Sequence, residues 1–183
     1  MFIAQQKRKE NIAEYILYMW QIEDIIRAYN LSIELIDAQI IQKITHLQEE
    51  EKLRMHDWYE SLIEMMRKEN VQQAGHIQMI KNTLNDLVDL HYALLKSPKQ
   101  VEYSALFYHT LPAIGALKLQ ERNVDTEDIE VCFIFMYGVL LLRLQHKELS
   151  ADTQTALQQI SKLLAVLSVK YRLYLNNKLD LED

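Results

Sequence analysis

The chain has 183 residues, of which 49% are hydrophobic and 25% charged, and its formal net charge is -6. This composition is that of a folded globular protein and lacks the low hydrophobicity and high charge of disordered chains. Because binding to nucleic-acid phosphates or anionic lipids depends on Lys and Arg, the acidic balance argues against both partners. We expect one helical domain over residues 1–183, with a polar tail over about residues 176–183.

Only 3 Gly and 2 Pro interrupt the chain, whereas a many-stranded β protein needs a turn signal every 8 to 12 residues or so. The sequence therefore predicts an all-α fold, a largely antiparallel bundle of six to seven helices. No apolar run approaches the roughly 20 residues of a membrane-spanning helix, and no signal-peptide pattern is visible at the N-terminus. Together with the single cysteine, these features predict a cytoplasmic protein without membrane association.

The first predicted helix covers residues 11–29, where apolar side chains recur every three or four positions. Ser32 is placed to cap a second helix that begins at Ile33. Three consecutive glutamates favour a new helix near Glu49, because acidic residues stabilise helix N-termini. Since no Gly or Pro separates the two patterns, one continuous helix over residues 33–70 is the alternative.

Gly75 is predicted to break the chain before a fourth helix, which ends at Ser97 and Pro98. A fifth helix is predicted over residues 99–122. It contains Pro112, which cannot donate to the carbonyl of Tyr108 and is expected to kink the helix.

A turn at residues 123–125, with Asp125 as the cap, predicts a sixth helix over residues 126–147, antiparallel to the fifth. Counting from that turn places Gly138 opposite Pro112 and predicts close helix packing at this glycine. Cys132 lies in the most apolar part of the sixth helix and is predicted to be a core residue. The last helix is predicted to be capped by Ser150 or Asp152.

Sequence motifs for metal or nucleotide chemistry are missing. Di-iron bundle proteins need Glu-x-x-His on two helices, and none of the six histidines has Glu three residues before it. The chain also lacks a His-Glu-x-x-His motif, a cysteine pair and a glycine-rich nucleotide loop. The spacings of His46 with Glu50 and of His56 with Glu60 predict surface pairs. We therefore predict no metal ligands, no cofactor and no catalytic residues.

Four polar residues are candidates for a ligand-binding site. Glu23 and Arg27 lie one turn apart on a mostly apolar helix, where they form either a structural ion pair or the wall of a pocket. His91 lies on the apolar face of the fourth helix, where a hydrogen-bonded core histidine is the favoured interpretation. His109 precedes Pro112 by one helical turn, so that the freed carbonyl either creates a polar pocket or accompanies a simple bend.

The sequence of residues 12–29, IAEYILYMWQIEDIIRAY, resembles the opening of a family of small all-helical proteins of unknown function from Bacteroides-type bacteria. The similarity in length and helical character extends over essentially the whole chain. The resemblance implies a bacterial cytoplasmic protein, and it implies no activity, cofactor or functional residue.

Three functions are compatible with these features. The leading hypothesis is a non-enzymatic helical interaction protein, whose partner is another protein or a second copy of itself. The second is a small-molecule binding protein or enzyme with a pocket among the first, fourth and fifth predicted helices. The third and weakest is a nucleic-acid regulator, because no helix has a basic face. Convergence of Glu23, Arg27, His91 and His109 on one cavity would favour the second hypothesis.

Overall fold

The computed structural model describes residues 2–121 and 124–181, and the fold is all-α, as predicted. Within these residues there are eight α-helices, one more than the upper predicted count, and no strand. The helices are α1 (Phe2–Glu10), α2 (Ile12–Ala28), α3 (Ile33–Ile36), α4 (Glu49–Lys68), α5 (Gln78–Lys96), α6 (Val101–Glu121), α7 (Asp128–Leu144) and α8 (Ala151–Leu175). A π-helical turn, Asp37–Ile41, follows α3, and a 3-10 turn, Pro98–Gln100, precedes α6.

The helix that the sequence analysis did not predict is α1, which precedes the well-patterned helix α2. Its composition is mostly polar, so it has no strong apolar stripe. Among residues 3–10, only Ala4 is buried. Asn11 separates the two helices. Its side-chain oxygen accepts hydrogen bonds from the backbone N–H groups of Ala13 and Glu14 at 3.1 and 3.3 Å, and so caps α2.

Residues 33–70 form separate helices, so the single-helix alternative is wrong. The hydroxyl oxygen of Ser32 caps α3 as predicted, accepting from the N–H of Leu35 at 3.2 Å. The helical pattern then ends early, since residues 42–48 are not helical. Two of its seven residues, Ile44 and Thr45, are β-branched and so weaken a helix. A new helix, α4, begins at Glu49 as predicted, and Glu51 accepts a hydrogen bond from the N–H of Gln48 at 2.9 Å.

The connections around α5, α6 and α8 mostly follow the predictions. Gly75 adopts a left-handed conformation with φ of +84° before α5, and Ser97 ends that helix. α6 continues through Pro112. Ser150, rather than Asp152, caps α8 by accepting from the N–H of Thr153 at 3.2 Å.

The predicted cap at Asp125 is wrong, because α7 begins at Asp128 with Glu127 at its N-cap position. An ion pair between Lys118 of α6 and Asp128, 2.6 Å long, joins α6 to the first residue of α7. Arg122 and Asn123, which the sequence analysis assigned to the end of the fifth helix and to the turn, lie outside the described residues.

One continuous hydrophobic core joins the helices, and α2 lies against α1, α4, α5, α7 and α8. α6 packs on α5, α7 and α8. Part of the predicted polar tail also docks on the bundle, since Asp180 forms an ion pair with Lys99 at 2.9 Å and its carbonyl accepts from Gln100 at 2.8 Å. Among the described residues, no helix has both the length and the apolar character needed to cross a membrane.

The predicted close packing of Gly138 is wrong. This glycine is exposed, and a Cβ atom built on it meets no heavy atom within 4 Å beyond its own helix backbone and chain neighbours. The end of α7 lies at the surface, where Leu141 and Leu144 are also exposed. The glycine therefore has no packing role inside this chain.

We expect Gly138→Ala to raise the free energy of unfolding by up to about 1 kcal/mol, because alanine favours a helix and meets no steric conflict here. The matched control is Gly75→Ala, which we expect to lower it by about 1 kcal/mol, since a Cβ is strained at positive φ. Denaturant midpoints measure both changes. A destabilising Gly138→Ala would contradict the open environment of Gly138.

Candidate functional site

The four predicted site residues do not share one cavity. Glu23 and Arg27 of α2 both bond to the segment of residues 71–77, between α4 and α5. His91 lies inside the bundle against Tyr103 of α6. His109 lies at the surface between α6 and α8. Tyr103 contacts His91 and also lines the cavity that contains His109. No contact among the described residues joins either histidine to Glu23 or Arg27.

Glu23 is fully buried and acts on the segment before α5. One carboxylate oxygen accepts from the backbone N–H of Ile77 at 2.9 Å, and the other lies 2.5 Å from Nδ1 of His76. A buried carboxylate requires such partners, because an unpaired charge inside a protein is strongly unfavourable. Glu23 therefore fastens residues 76 and 77 to α2.

Arg27 holds the same segment but does not pair with Glu23. Its guanidinium forms an ion pair with Asp24 at 2.9 Å and donates to the backbone carbonyls of Val71 and Gly75. The predicted ion pair between Glu23 and Arg27 is therefore wrong, and each side chain has a separate partner. The residues act together all the same, since both bind the chain before α5.

Aromatic rings cover this polar cluster. Trp20 stacks on the His76 ring at a centroid distance of 4.3 Å, and Tyr137 of α7 meets Trp20 edge-on at 5.5 Å. The Tyr137 hydroxyl donates to Asp24 at 2.5 Å. Burial, followed by this hydrogen bond to a carboxylate, raises the pKa of Tyr137. These contacts hold α2, α7 and the 71–77 segment together, so we interpret the cluster as structural.

His91 is the hydrogen-bonded core histidine that the sequence favoured. Its Nδ1 lies 2.7 Å from the hydroxyl of the buried Tyr103, while its Nε2 is buried without a hydrogen-bond partner among the described residues. Burial lowers the pKa of His91 to about 4, partly opposed by Asp128 and Glu127. The imidazole is therefore neutral at pH 7, and burial likewise raises the pKa of Tyr103.

Cys132 is a core residue, as predicted. It is fully buried in α7, and this burial raises the pKa of its thiol. The neutral thiol is a poor nucleophile and a poor metal ligand.

His109 lines a surface cavity of about 440 Å³ between α6 and α8, which we call the α6–α8 groove. The apolar part of its lining comes from Tyr103, Leu106 and Val166. The polar part comes from Glu102, His109, Lys162 and Lys170. Neither lysine forms an ion pair or hydrogen bond with a described residue. The groove thus combines apolar side chains with two lysines and one glutamate.

The predicted surface pair of His56 and Glu60 belongs to a group of three possible metal ligands. Together with Asp57, these residues place one donor atom each within 4.8 Å of the others, the only such group among the described residues. Both carboxylates are exposed, and His56 lies 3.7 Å from Asp57. The arrangement is that of a solvated group of polar side chains at the surface.

The sequence analysis missed His76, Tyr103, Lys162 and Lys170. His76 and Glu23 are far apart in the chain, so no helical periodicity connects them. Lys162 and Lys170 gave a usable signal, because with Val166 they follow the four-residue spacing of one α8 face. Their position opposite Leu106 and His109 could not be predicted from the sequence, because it depends on how α6 and α8 pack together.

Over residues 1–177 the chain matches the family described as Domain of unknown function (DUF4924). No curated protein and no solved structure matches it. The family match confirms the expectation of an uncharacterised family, and its description names no activity, ligand or partner. Any functional argument therefore depends on the chain's own surface.

We expect Glu23→Ala to lower the free energy of unfolding by about 3 kcal/mol, because it leaves the Ile77 N–H and His76 without their buried partner. The control is Glu14→Ala, which removes an exposed ion pair with Lys7 and should cost less than about 1 kcal/mol. Chemical denaturation measures both. Equal losses in the two variants would show that the 71–77 segment is held by other contacts.

His91 predicts a stability change in mild acid. Between pH 6.5 and about 4, the unfolded chain protonates this histidine while the folded chain keeps it neutral. The free energy of unfolding should therefore fall as the pH is lowered through this window, by up to about 1.4 kcal/mol per pH unit. His91→Gln should remove this contribution, whereas His46→Gln, at an exposed site, should retain it. The same pH slope in the parent and in His91→Gln would contradict the assignment.

Proposed function

This chain belongs to the DUF4924 family, and because that family has no described activity, we propose from the chain's surface that it is a non-enzymatic interaction protein that pairs with a second copy of itself. The observation that carries the proposal is the outward side of α6. It is uncharged over the length of the helix, and its residues are exposed apart from one half-buried glycine, Gly115. We call it the α6 face and define it by Val101, Ala105, Tyr108, Pro112, Gly115 and Leu119.

The α6 face is exposed to an unusual degree for apolar side chains. Val101 is 67% exposed, Tyr108 62% and Leu119 75%. Helices that are apolar on all sides normally lie in the interior of a protein, and contiguous apolar surface marks an interface. α6 is about 30 Å long, which gives a partner helix a continuous line of contact.

Two properties favour a second copy as the partner. The chain has a net charge of -6, so two copies repel each other over most of their surface, and an uncharged face is where that repulsion is weakest. The face is also self-complementary in an antiparallel arrangement. Val101 and Leu119, Ala105 and Gly115, and Tyr108 and Pro112 are each placed symmetrically about Thr110. A two-fold axis on the outward side, at the height of the buried Thr110, would set each member of a pair against the other.

Gly115 supports the same arrangement. A Cβ atom built on it meets no heavy atom within 4 Å, so packing inside the chain does not require glycine there. Glycine within a helix costs about 1 kcal/mol relative to alanine. In the proposed dimer, Ala105 of a second α6 lies against Gly115, and the absence of a side chain at Gly115 allows the two helices to approach closely. The proposal retains the bacterial and cytoplasmic setting that the sequence predicts.

Sedimentation velocity tests the pairing. We expect the parent to form a dimer at micromolar concentration, and Tyr108→Glu to weaken it at least about tenfold by placing two carboxylates near the axis. The control is Val169→Glu, which adds the same charge at an exposed apolar residue of α8 and should leave the dimer intact. A parent that remains monomeric, or a Tyr108→Glu variant that pairs as well as the parent, would refute the proposal.

A further inference from the structure

We propose that the α6–α8 groove binds a small organic anion with an apolar body, such as an aliphatic or aromatic carboxylate or sulfonate. The groove's volume of about 440 Å³ lies in the range of small-molecule sites, which are mostly apolar and contain a few polar groups that orient the ligand. This inference is independent of pairing through the α6 face.

The lysines of the groove point to an anionic ligand. Lys162 and Lys170 lie two turns apart on one side of α8, about 12 Å along the helix axis. Neither forms an ion pair with a described residue, although the chain contains 26 Asp and Glu against 20 Lys and Arg. Neither is placed in the last turn of α8, where a cation would stabilise the helix end. A ligand anion would give these charges a partner.

The polar groups also set the orientation of the ligand. Residues 102–109 of α6 share the groove with residues 162–170 of α8, and residues 113–120 share the next cavity with residues 152–159. The two helices are therefore antiparallel, and His109 and Lys162 lie at one end with Glu102 and Lys170 at the other. Because Glu102 lies at the end with Lys170, the end with Lys162 has no carboxylate in its lining and receives the anionic group.

The apolar lining then accommodates the body of the ligand. Leu106 and Val166 come from facing helices, and the almost fully buried Tyr103 is part of the wall. The Tyr103 hydroxyl is turned toward His91, to whose ring it bonds at 2.7 Å. The Tyr103–His91 bond therefore fixes the wall in place, which makes Tyr103 and His91 positioning residues for the groove.

Fluorescence titration with anilinonaphthalene sulfonate, an aromatic anion, tests the groove. We expect saturable binding by the parent. The double variant Lys162→Gln, Lys170→Gln should weaken binding about tenfold, because it removes two partly exposed charge interactions, each of which contributes modestly. The matched control is Lys81→Gln, an exposed lysine of α5 outside the groove, which should bind as the parent does. All three proteins should keep the parent's circular dichroism spectrum, since the substituted side chains lie at the surface.

Competition separates charge from apolar attraction. Octanoate should displace the dye at a lower concentration than octanol, which has the same chain length without the charge. The proposal is overturned if the parent does not bind the dye, if the double lysine variant binds it as well as the parent, or if octanol competes as well as octanoate. Loss of binding in Tyr108→Glu with retention in the double lysine variant would also overturn it, because the dye would then occupy the α6 face. None of these results depends on whether the chain forms a dimer.

Discussion

The burial of α2 is the constraint on which the rest of the structure depends. Nine of its 17 residues are buried, and five other helices pack against it. A helix enclosed in this way has little surface available for polar side chains. Its buried carboxyl side chain, Glu23, therefore takes its hydrogen-bond partners from outside the helix, namely the backbone N–H of Ile77 and the ring of His76. The path of the chain between α4 and α5 follows from that requirement.

The central position of α2 also determines what remains at the surface. With α4, α5, α7 and α8 packed against α2, α6 covers the bundle from outside through α5, α7 and α8. Its inward side chains are ordinary core residues, such as Tyr103, Phe107 and Ile114. Its outward side chains are nearly as apolar, but no other described helix covers them. The uncharged α6 face is therefore left without a covering helix among the described residues.

Sequence periodicity predicted the helices that bury one clear face, and local chemistry predicted several of their ends. The stripes of α2 and α5, the cap at Ser32, the break at Gly75 and the start of α4 near Glu49 all agree with the structure. Such features depend on residues a few positions apart. α1 was missed because it is mostly polar, and the second helix was overextended because its isoleucines keep a helical spacing although β-branching weakens the helix.

Predictions that required a distance between helices were the least successful. Gly138 was placed against Pro112 by counting residues, which ignores the rotation of each helix about its axis, and Gly138 in fact points into open space. Glu23 and Arg27 were correctly singled out, but their partners His76 and Gly75 lie about 50 residues away in the chain. Burial of Cys132 and His91 was predictable because each is surrounded by apolar residues in its own helix. The residues that they contact in other helices were not predictable from the sequence.

The sides of α6 differ in the side chains that they carry. The inward side packs in the core, and the flank bearing Glu102, Leu106 and His109 forms the groove with α8. The outward side carries Val101, Tyr108 and Leu119 without a charge. Charged and polar groups on the flank favour hydration or a small polar ligand, whereas the uncharged side favours a flat apolar partner. The boundary between them coincides with the change from charged to uncharged residues, so the proposed second copy and the proposed anion would contact different side chains of α6.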